Sequence, residues 1–350
     1  MAMQAEIVSS GWSVPGFIQR NRILLALVMG HLGLGLLLGQ ILETEFHSST
    51  VSSLMLILGT MLPIFLVLLM LGRFLHLALV VRPKRPTQQM LSDVRAVSLD
   101  ADRVVSGLVA VLAFSIFIST FSYFKSVIPE IQPFAWDVRF AELDRMLHFG
   151  YDPYVPVMAL FGTPKIVTLF NGFYHAWMFL ICMSVLLAAF AKRDAVLRNT
   201  YLIGFMLVWF IAGNVLATLF SSAGPVYYER LGLGDDFVPL TQMLKEFNEI
   251  SPVWALSVHE MLWEGYVAEG KARGISAMPS MHVGSTALMM FFAYGWKRWA
   301  GHLAAVFFAI IVIGSVMLAW HYAVDAYLGL IAAWACWKSA GRIAAWDAAR

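Results

Sequence analysis

The chain has 350 residues, of which 60% are hydrophobic and only 13% are charged, whereas soluble domains carry about 25% charged residues. This composition, with a mean hydropathy of +0.73, excludes a soluble globular protein and predicts an integral membrane protein. The net charge of +2 gives no support to nucleic-acid binding, and the two cysteines, Cys182 and Cys336, lie in apolar runs without metal-binding or disulfide spacing.

Apolar runs along the chain predict an all-α, polytopic membrane protein. A transmembrane helix needs about 20 mostly apolar residues, and eight runs come near that length. They lie at about 22–42, 52–80, 103–126, 165–191, 199–220, 280–296, 299–319 and 322–341.

The first long polar stretch, 127–164, predicts a helix that lies on the membrane surface. Apolar residues recur there at helical spacing, at Phe140, Leu143, Met146 and Leu147. Asp144 and Arg145 are then expected on the exposed polar face of this helix, with a bounding position at the site as the alternative. The apolar piece at 154–162 is too short to span a bilayer and is expected to be re-entrant or interfacial.

The second polar stretch, 221–279, is the longest segment between predicted spans. At this length we expect it to fold as a cap over one face of the protein. Helices are predicted within it near 238–248 and 253–268.

The basic residues indicate which side of the membrane is cytoplasmic. Most of the 24 Lys and Arg residues fall on the side that carries both termini, and most of the 22 acidic residues fall on the other side. Because positively charged segments stay in the cytoplasm, we expect both termini to be cytoplasmic, in a bacterial inner membrane. The cap then lies on the extracytoplasmic side.

Two short motifs place chemically active side chains at the starts of predicted spans. "SAMPSMHVGS" (276–285) puts His282 at the start of the sixth span, and "WHYAVDAYLG" (320–329) puts His321 and Asp325 at the start of the eighth. The topology predicts that both motifs lie at the same extracytoplasmic face.

These residue types suit phosphoryl transfer. His321 and Asp325 are four residues apart and share a helix face, so the carboxylate can orient the imidazole and stabilise its charged form. His321 is therefore the predicted nucleophile and His282 the general acid for the leaving oxygen. Ser280 can cap the helix that His282 begins, and the free N–H groups of its first turn attract phosphate.

A purely structural interpretation competes with this one. A single histidine at a helix end is most often a satisfied polar group, and Trp320 and Tyr322 are typical interfacial anchors. An aspartate inside a span, however, is costly and is by default a functional residue. The combination with His321 four residues earlier is difficult to explain as anchoring.

The motifs "AMPSMHVG" (277–284) and "HYAVDAYLG" (321–329) resemble the second and third signatures of the phosphatidic acid phosphatase type 2 superfamily. They are most similar to its inositolphosphotransferase branch, the relatives of inositol phosphorylceramide synthase, which has Leu where this chain has Met281. The resemblance covers about 100–341. It implies a six-helix core in 100–350, with 1–99 as a two-span extension, and it assigns His321 as nucleophile, Asp325 as its orienting partner and His282 as acid, with no metal.

The chain also departs from the superfamily pattern. The phosphatase branch has an Arg six residues before the third-signature His, where this chain has Ser315, and the first signature, Lys-x6-Arg-Pro, is absent. "SSAGPVYYERL" (221–231) is similar to the Ala-Pro-Pro-x-Tyr stretch of the inositolphosphotransferase branch. Ala223, Pro225 and Tyr227 match it, and Gly224 replaces a proline.

These departures leave open which cations hold the phosphate. Arg273, nine residues before His282, is the preferred candidate because Arg binds phosphate in a bidentate manner. Arg230 and Lys271 are further candidates, although a solvated loop charge is the favoured explanation of both. His175, about ten residues into the fourth span, is expected either to contact substrate or to bond a neighbouring helix.

Head-group transfer of the inositolphosphotransferase type is the favoured function, with a phospholipid or lipid phosphate as donor and a lipid alcohol as acceptor. The alternative is a lipid phosphate phosphatase, in which water is the acceptor. A transporter or haem protein is a remote alternative based on intramembrane histidines at His31, His76 and His175, but their predicted depths do not match as axial ligands. No cofactor is implied, and the expected partners are membrane lipids.

Overall fold

The computed structural model describes residues 16–192, 194–269 and 274–350, and the regular structure in these ranges is helical. This confirms the prediction of an all-α protein. The helices are, in chain order, α1 Gly16–Ile41, α2 Thr50–Val81, α3 Pro86–Ser98, α4 Ala101–Ile131, α5 Asp137–Leu147, α6 Tyr154–Phe161, α7 Pro164–Ala189, α8 Ala195–Leu219, α9 Val238–Ile250, α10 Ala255–Glu269, α11 Met281–Trp296, α12 Arg298–Met317 and α13 Ala323–Ala348.

Six of these helices are long and apolar enough to cross a membrane, namely α1, α2, α4, α7, α8 and α12. Each coincides with a predicted span, which confirms a polytopic membrane protein. The other two predicted spans correspond to α11 and α13. At 16 residues, α11 is about 24 Å long, less than the hydrocarbon core of about 30 Å, and α13 carries charged side chains at both ends. The count of eight spans therefore stays a prediction.

The apolar core lies where α4, α8, α11 and α13 meet. In α4 and α8, 61% of the most apolar stretch is buried inside the protein, against 6% in α2, so α2 is a peripheral helix. α1 packs along α4, and Arg22 in α1 binds Asp347 near the end of α13. The division into an extension and a core at residue 99 stays a prediction.

The described part of the cap contains two α-helices, α9 and α10, where two helices were predicted. α9 packs against α7 and buries Leu240 and Leu244. Before α9, a short 3₁₀ turn at Pro225–Tyr227 carries the chain from the end of α8 into the cap.

The surface helix predicted near residue 140 is α5, but the prediction that Asp144 lies on its exposed polar face is wrong. Asp137 and Asp144 are 1% and 2% exposed, whereas Met146 and Leu147 are 72% and 51% exposed. Phe140 is buried as predicted, but the helix is rotated about its axis, because both carboxylates accept hydrogen bonds from backbone N–H groups inside the protein. Arg145 does lie at the surface, where it pairs with two aspartates of neighbouring loops.

Asp144 binds the beginning of α13. Its two oxygens accept hydrogen bonds from the backbone N–H groups of Ala323 at 2.7 Å and Val324 at 2.9 Å. These donors belong to the first turn of the helix and have no partner within it. Burial raises the pKa of Asp144, and the two N–H groups act in the opposite direction. Asp144 therefore fixes where α13 starts.

Asp137 does the same for the loop that follows α8. Its carboxylate accepts hydrogen bonds from the backbone N–H groups of Ala223 at 2.9 Å and Gly224 at 2.8 Å. It also accepts one from the hydroxyl of Tyr322 at 2.9 Å. Burial raises the pKa of Asp137, and these donors again oppose it. One face of α5 thus joins two loops that are about a hundred residues apart in sequence.

We predict that Asp144→Ala destabilises the protein, because it leaves two buried backbone donors without a partner. The expected cost is about 1–3 kcal/mol for an unsatisfied buried donor. The thermal midpoint of the purified protein in detergent should fall by several degrees. The control is Glu142→Ala, an exposed position on the same helix, and an equal fall in both variants would contradict the assignment.

Candidate active site

The two histidine motifs meet at one end of the bundle. His282 lies in the first turn of α11, and His321 lies in the loop between α12 and α13. Nε2 of His321 is 3.4 Å from Nδ1 of His282, and the ring centroids are 5.6 Å apart. The structure therefore brings together the three predicted catalytic residues, since Asp325 is a direct neighbour of His321.

The hydrogen bonds of His321 define the state of its ring. Nδ1 lies 2.9 Å from the carbonyl oxygen of Ala277 and 3.3 Å from Oδ2 of Asp325. Because both partners are acceptors, we infer that Nδ1 carries the proton and that Nε2 carries the lone pair. Nε2 is the nitrogen that faces His282, so this arrangement suits a nucleophile.

The loop that holds His321 is shaped by its own backbone. After α12 ends, Ala319 takes a left-handed conformation with φ of +60°. The carbonyl oxygen of Ser315 then accepts hydrogen bonds from the N–H groups of Trp320 and His321, both at 3.1 Å. Ser315 stands where the phosphatase branch has an Arg, and here the position supplies a backbone contact.

Asp325 and Ser280 connect the two motifs. Oδ2 of Asp325 accepts a hydrogen bond from the N–H group of Tyr322 at 3.0 Å, and its backbone oxygen accepts one from the N–H group of Ser280 at 3.0 Å. Ser280 is the N-cap of α11 and accepts a hydrogen bond from Val283. A Cβ at Gly329 would lie 2.6 Å from the carbonyl oxygen of Ser280, so glycine at 329 permits this close approach of α13 to α11.

Gly224 explains one departure from the inositolphosphotransferase pattern. Its φ is +99°, which proline cannot adopt because its ring fixes φ near about −65°. A Cβ at this position would also lie 2.6 Å from the carbonyl oxygen of Trp320. The loop after α8 therefore packs directly against the loop that holds His321, and glycine is required at the contact.

A cavity of about 770 Å³ opens beside the histidines and is lined by His282, His321 and residues of α2, α4, α7, α8 and the cap. The ring of His282 packs against two aromatic rings of the cavity wall. Its centroid lies 4.3 Å from the ring centroid of Tyr174 and 4.1 Å from that of Trp177. The volume lies within the range of about 300–1,000 Å³ that is usual for ligand sites.

Lys125 lines the same cavity and was missed by the sequence analysis. It is 9% exposed, and among the described lining residues it is the only Lys or Arg. The described residues provide no hydrogen-bond or salt-bridge partner for its amine. Its position, six residues before the end of α4, looked like the flank of a span, and no spacing to the two motifs marked it.

The other predicted site residues are distributed differently. His175 and Tyr227 line the cavity, where Nδ1 of His175 bonds the carbonyl oxygen of Asn171 at 2.9 Å. Arg230 does not line the cavity. Its guanidinium binds Glu260 and lowers the pKa of that carboxyl group. Arg273 and Lys271 lie outside the described residues.

His31, part of the haem alternative, is a packed core residue. Its Nε2 lies 3.1 Å from Oδ1 of Asn214, and its ring contacts the rings of Phe117 and Phe124. Among the residues described, no group of His, Cys, Asp and Glu side chains could hold a metal ion.

Comparison with known families identified one matching family. A family model described as the PAP2 superfamily matches residues 138–338, which is more than half of the chain and contains both histidine motifs, Asp144 and the cap. It includes neither α2 nor Lys125. Comparisons with curated proteins and with solved structures gave no match. From the family match, supported by the meeting of His282, His321 and Asp325, the chain belongs to the PAP2 superfamily.

Proposed function

We propose that the protein is a membrane phosphotransferase or phosphatase that acts on a phospholipid or lipid phosphate through a phosphohistidine at His321. The observation that carries the proposal is the pair of acceptors on Nδ1 of His321, Ala277 O and Asp325 Oδ2, which leaves Nε2 free to attack. PAP2 superfamily membership and the apolar helices support a membrane enzyme of the phosphatase type.

The proposed reaction has two steps. Nε2 of His321 attacks phosphorus, a P–N bond forms and the P–O bond to the leaving alcohol breaks, while His282 donates a proton to the leaving oxygen. The acceptor hydroxyl then attacks phosphorus, His282 takes its proton, and the P–N bond breaks. Asp325 stabilises the positive charge that the His321 ring carries in the intermediate.

Lys125 is the proposed counter-charge for the phosphate. The described residues provide no partner for this amine, which lies on the wall of the cavity that contains both histidines and can donate hydrogen bonds to phosphate oxygens. The positive end of the α11 dipole adds to this field, because His282 lies in the first turn of this helix. His175 and Tyr227 are proposed substrate contacts, and Arg273 remains a proposed phosphate ligand. Ser280 is proposed to act indirectly, as the N-cap residue of α11. Nucleophile, acid and counter-charge all come from side chains, so the proposed reaction is metal-independent.

The acceptor is proposed to be a lipid alcohol, in transfer of the inositolphosphotransferase type. His321 is 5% exposed and faces an apolar cavity, which limits access of water to the intermediate. A purified sample incubated with a phosphate-labelled phospholipid, with and without diacylglycerol or ceramide, decides between the acceptors. Label that moves to the added alcohol supports transfer. Label released as soluble phosphate or head group in both samples supports the phosphatase alternative.

The site is proposed to be extracytoplasmic and both termini cytoplasmic, because the basic residues concentrate on the side of the termini. A fluorescent protein that folds only in the cytoplasm, fused after Arg350, should therefore fluoresce. A full-length fusion without fluorescence would show that the C-terminus is extracytoplasmic and would contradict the proposed orientation.

We predict that His321→Ala lowers turnover by a factor on the order of 10³ or more, because it removes the nucleophile. His282→Ala should lower turnover about 10²–10⁴-fold for a lipid phosphate, whose alkoxide is a poor leaving group. The loss should be much smaller for p-nitrophenyl phosphate, whose phenolate leaves without protonation. Rates with both substrates measure the contrast.

The matched control for these variants is His302→Ala, because His302 is an exposed histidine in α12. It should retain the activity of the unmodified protein. Full activity in His321→Ala would overturn the mechanism, and equal losses for both substrates in His282→Ala would remove its role as the acid.

We predict that Lys125→Met raises KM and lowers kcat/KM at least about tenfold, because it removes a charge-assisted hydrogen bond to phosphate worth about 1.5–3 kcal/mol. Lys125→Arg keeps the charge and should restore part of the loss. The inhibition constant of inorganic phosphate should rise in Lys125→Met by a similar factor. Unchanged phosphate inhibition would show that Lys125 does not contact the anion.

A further inference from the structure

The cavity beside the histidines continues deep into the membrane-spanning part of the bundle. Its lining residues follow α4 from Lys125 to Val111 and α7 from Tyr174 to Leu186. At 1.5 Å per residue, the α4 wall is about 21 Å long. The polar lining side chains near the histidines give way to Ile, Val, Leu and Phe along this path.

The inner end of the cavity is closed by the peripheral helix α2. Phe65 of α2 packs against Val111 and Leu186 in a separate buried cluster, and these last two residues are the deepest lining positions on their helices. Nearer the histidines, Leu56 and Ile57 of α2 also line the cavity. Although α2 is otherwise exposed, it forms the outer wall of this cavity.

The dimensions match a lipid chain. One leaflet of a bilayer has a hydrocarbon depth of about 15 Å, half of the full core of about 30 Å, so a wall of about 21 Å accommodates a chain of ordinary membrane length. The continuous lining from Lys125 to Val111 offers a cationic side chain and an apolar wall in one cavity.

We propose that this cavity holds one hydrocarbon chain of the lipid whose phosphate His321 attacks, with α2 as the wall that closes it. The inference rests on the proposed function and names its substrate class, a lipid phosphoester with a chain about as long as a leaflet is deep. The N-terminal part of the chain, which the family match does not include, is then part of the substrate site.

The cavity selects chain length more than it adds affinity. A lipid chain in a bilayer is already surrounded by apolar groups, so its transfer into an apolar cavity gains little free energy. The walls instead fix the depth of the chain and therefore the position of the phosphate against His321. A chain that meets a blocked inner end cannot bring its phosphate to the nucleophile.

Cys182 provides a readout that does not depend on turnover. It lines the cavity eight residues beyond Tyr174 along α7, which is about 12 Å deeper. The other cysteine, Cys336, is buried in α13 and does not line the cavity. A Cys336→Ala background with His321→Ala therefore has one thiol in the chain site and no expected chemistry.

The first experiment measures the rate at which N-ethylmaleimide modifies Cys182 in this double variant. Oleoyl lysophosphatidic acid should slow the reaction at least about fivefold, whereas hexanoyl lysophosphatidic acid, whose chain ends before Cys182, should leave it unchanged. Equal rates with both lipids would overturn the chain site. Because no turnover is needed, this result stands apart from a failure of the proposed reaction, which the His321→Ala activity assay detects.

The second experiment blocks the path of the chain at its inner end, with Val111→Trp, and along the α2 wall, with Ile57→Trp. Each variant should lower the ratio of activity on the oleoyl lipid to activity on the hexanoyl lipid about tenfold or more. Leu112→Trp and Leu58→Trp are the matched controls, since these side chains are exposed and do not line the cavity. Retained activity on the hexanoyl lipid shows that the blocked variants fold, and an unchanged ratio in such a variant would overturn the proposal.

Discussion

The hydrogen bonds that two buried carboxylates accept from backbone N–H groups hold this site together. Asp144 accepts hydrogen bonds from the first turn of α13, and Asp137 accepts them from the loop after α8. Both belong to α5, a helix too polar to span. Because the carboxylates are buried, any displacement would leave both the charges and the N–H donors unsatisfied. The positions of His321 and Asp325 therefore depend on a helix that contains no proposed catalytic residue.

The same requirement extends to the loops that meet at the histidines. Backbone N–H and C=O groups in these loops need protein partners where the loops are buried, as at Ala277 and His321. The carbonyl oxygen of Ser315 accepts hydrogen bonds from two N–H groups of the His321 loop. The carbonyl oxygen of Ser222 accepts one from the N–H group of Ala277, and its hydroxyl accepts one from that of Met278. The carbonyl oxygen of Ala277 is thereby fixed where it contacts Nδ1 of His321. The backbone hydrogen bonds of these loops therefore also position the acceptor that selects the tautomer of His321.

The sequence predicted the apolar helices and the residues that meet in the site, because hydrophobic runs and the spacing of His321 and Asp325 are local signals. It did not predict Lys125, because the histidines of the cavity that Lys125 lines lie far away in sequence. Asp137 and Asp144 did leave a signal: they are seven residues apart, two helical turns, on the same face as Phe140. The apolar residues Met146 and Leu147 hid it, because hydrophobicity alone assigns them to the inside. Gly224 was seen as a departure, and only the contact with Trp320 explains it.

The peripheral position of α2 bears on how a lipid reaches the histidines. A helix with 6% of its apolar stretch buried is held by few protein contacts, and its π-helical turn at Ile57–Met61 lies beside the cavity. Such turns interrupt regular helical hydrogen bonding and are frequent at functional sites. In the proposed chain site α2 is the least buried wall, since the corresponding buried share is 39% in α7 and 61% in α4 and α8. Separation of α2 from α4 and α7 is therefore the proposed entry for a chain that comes sideways from the bilayer. Among the six membrane-length helices, the one with the smallest buried share, α2, is thus also the wall through which the lipid chain is proposed to enter.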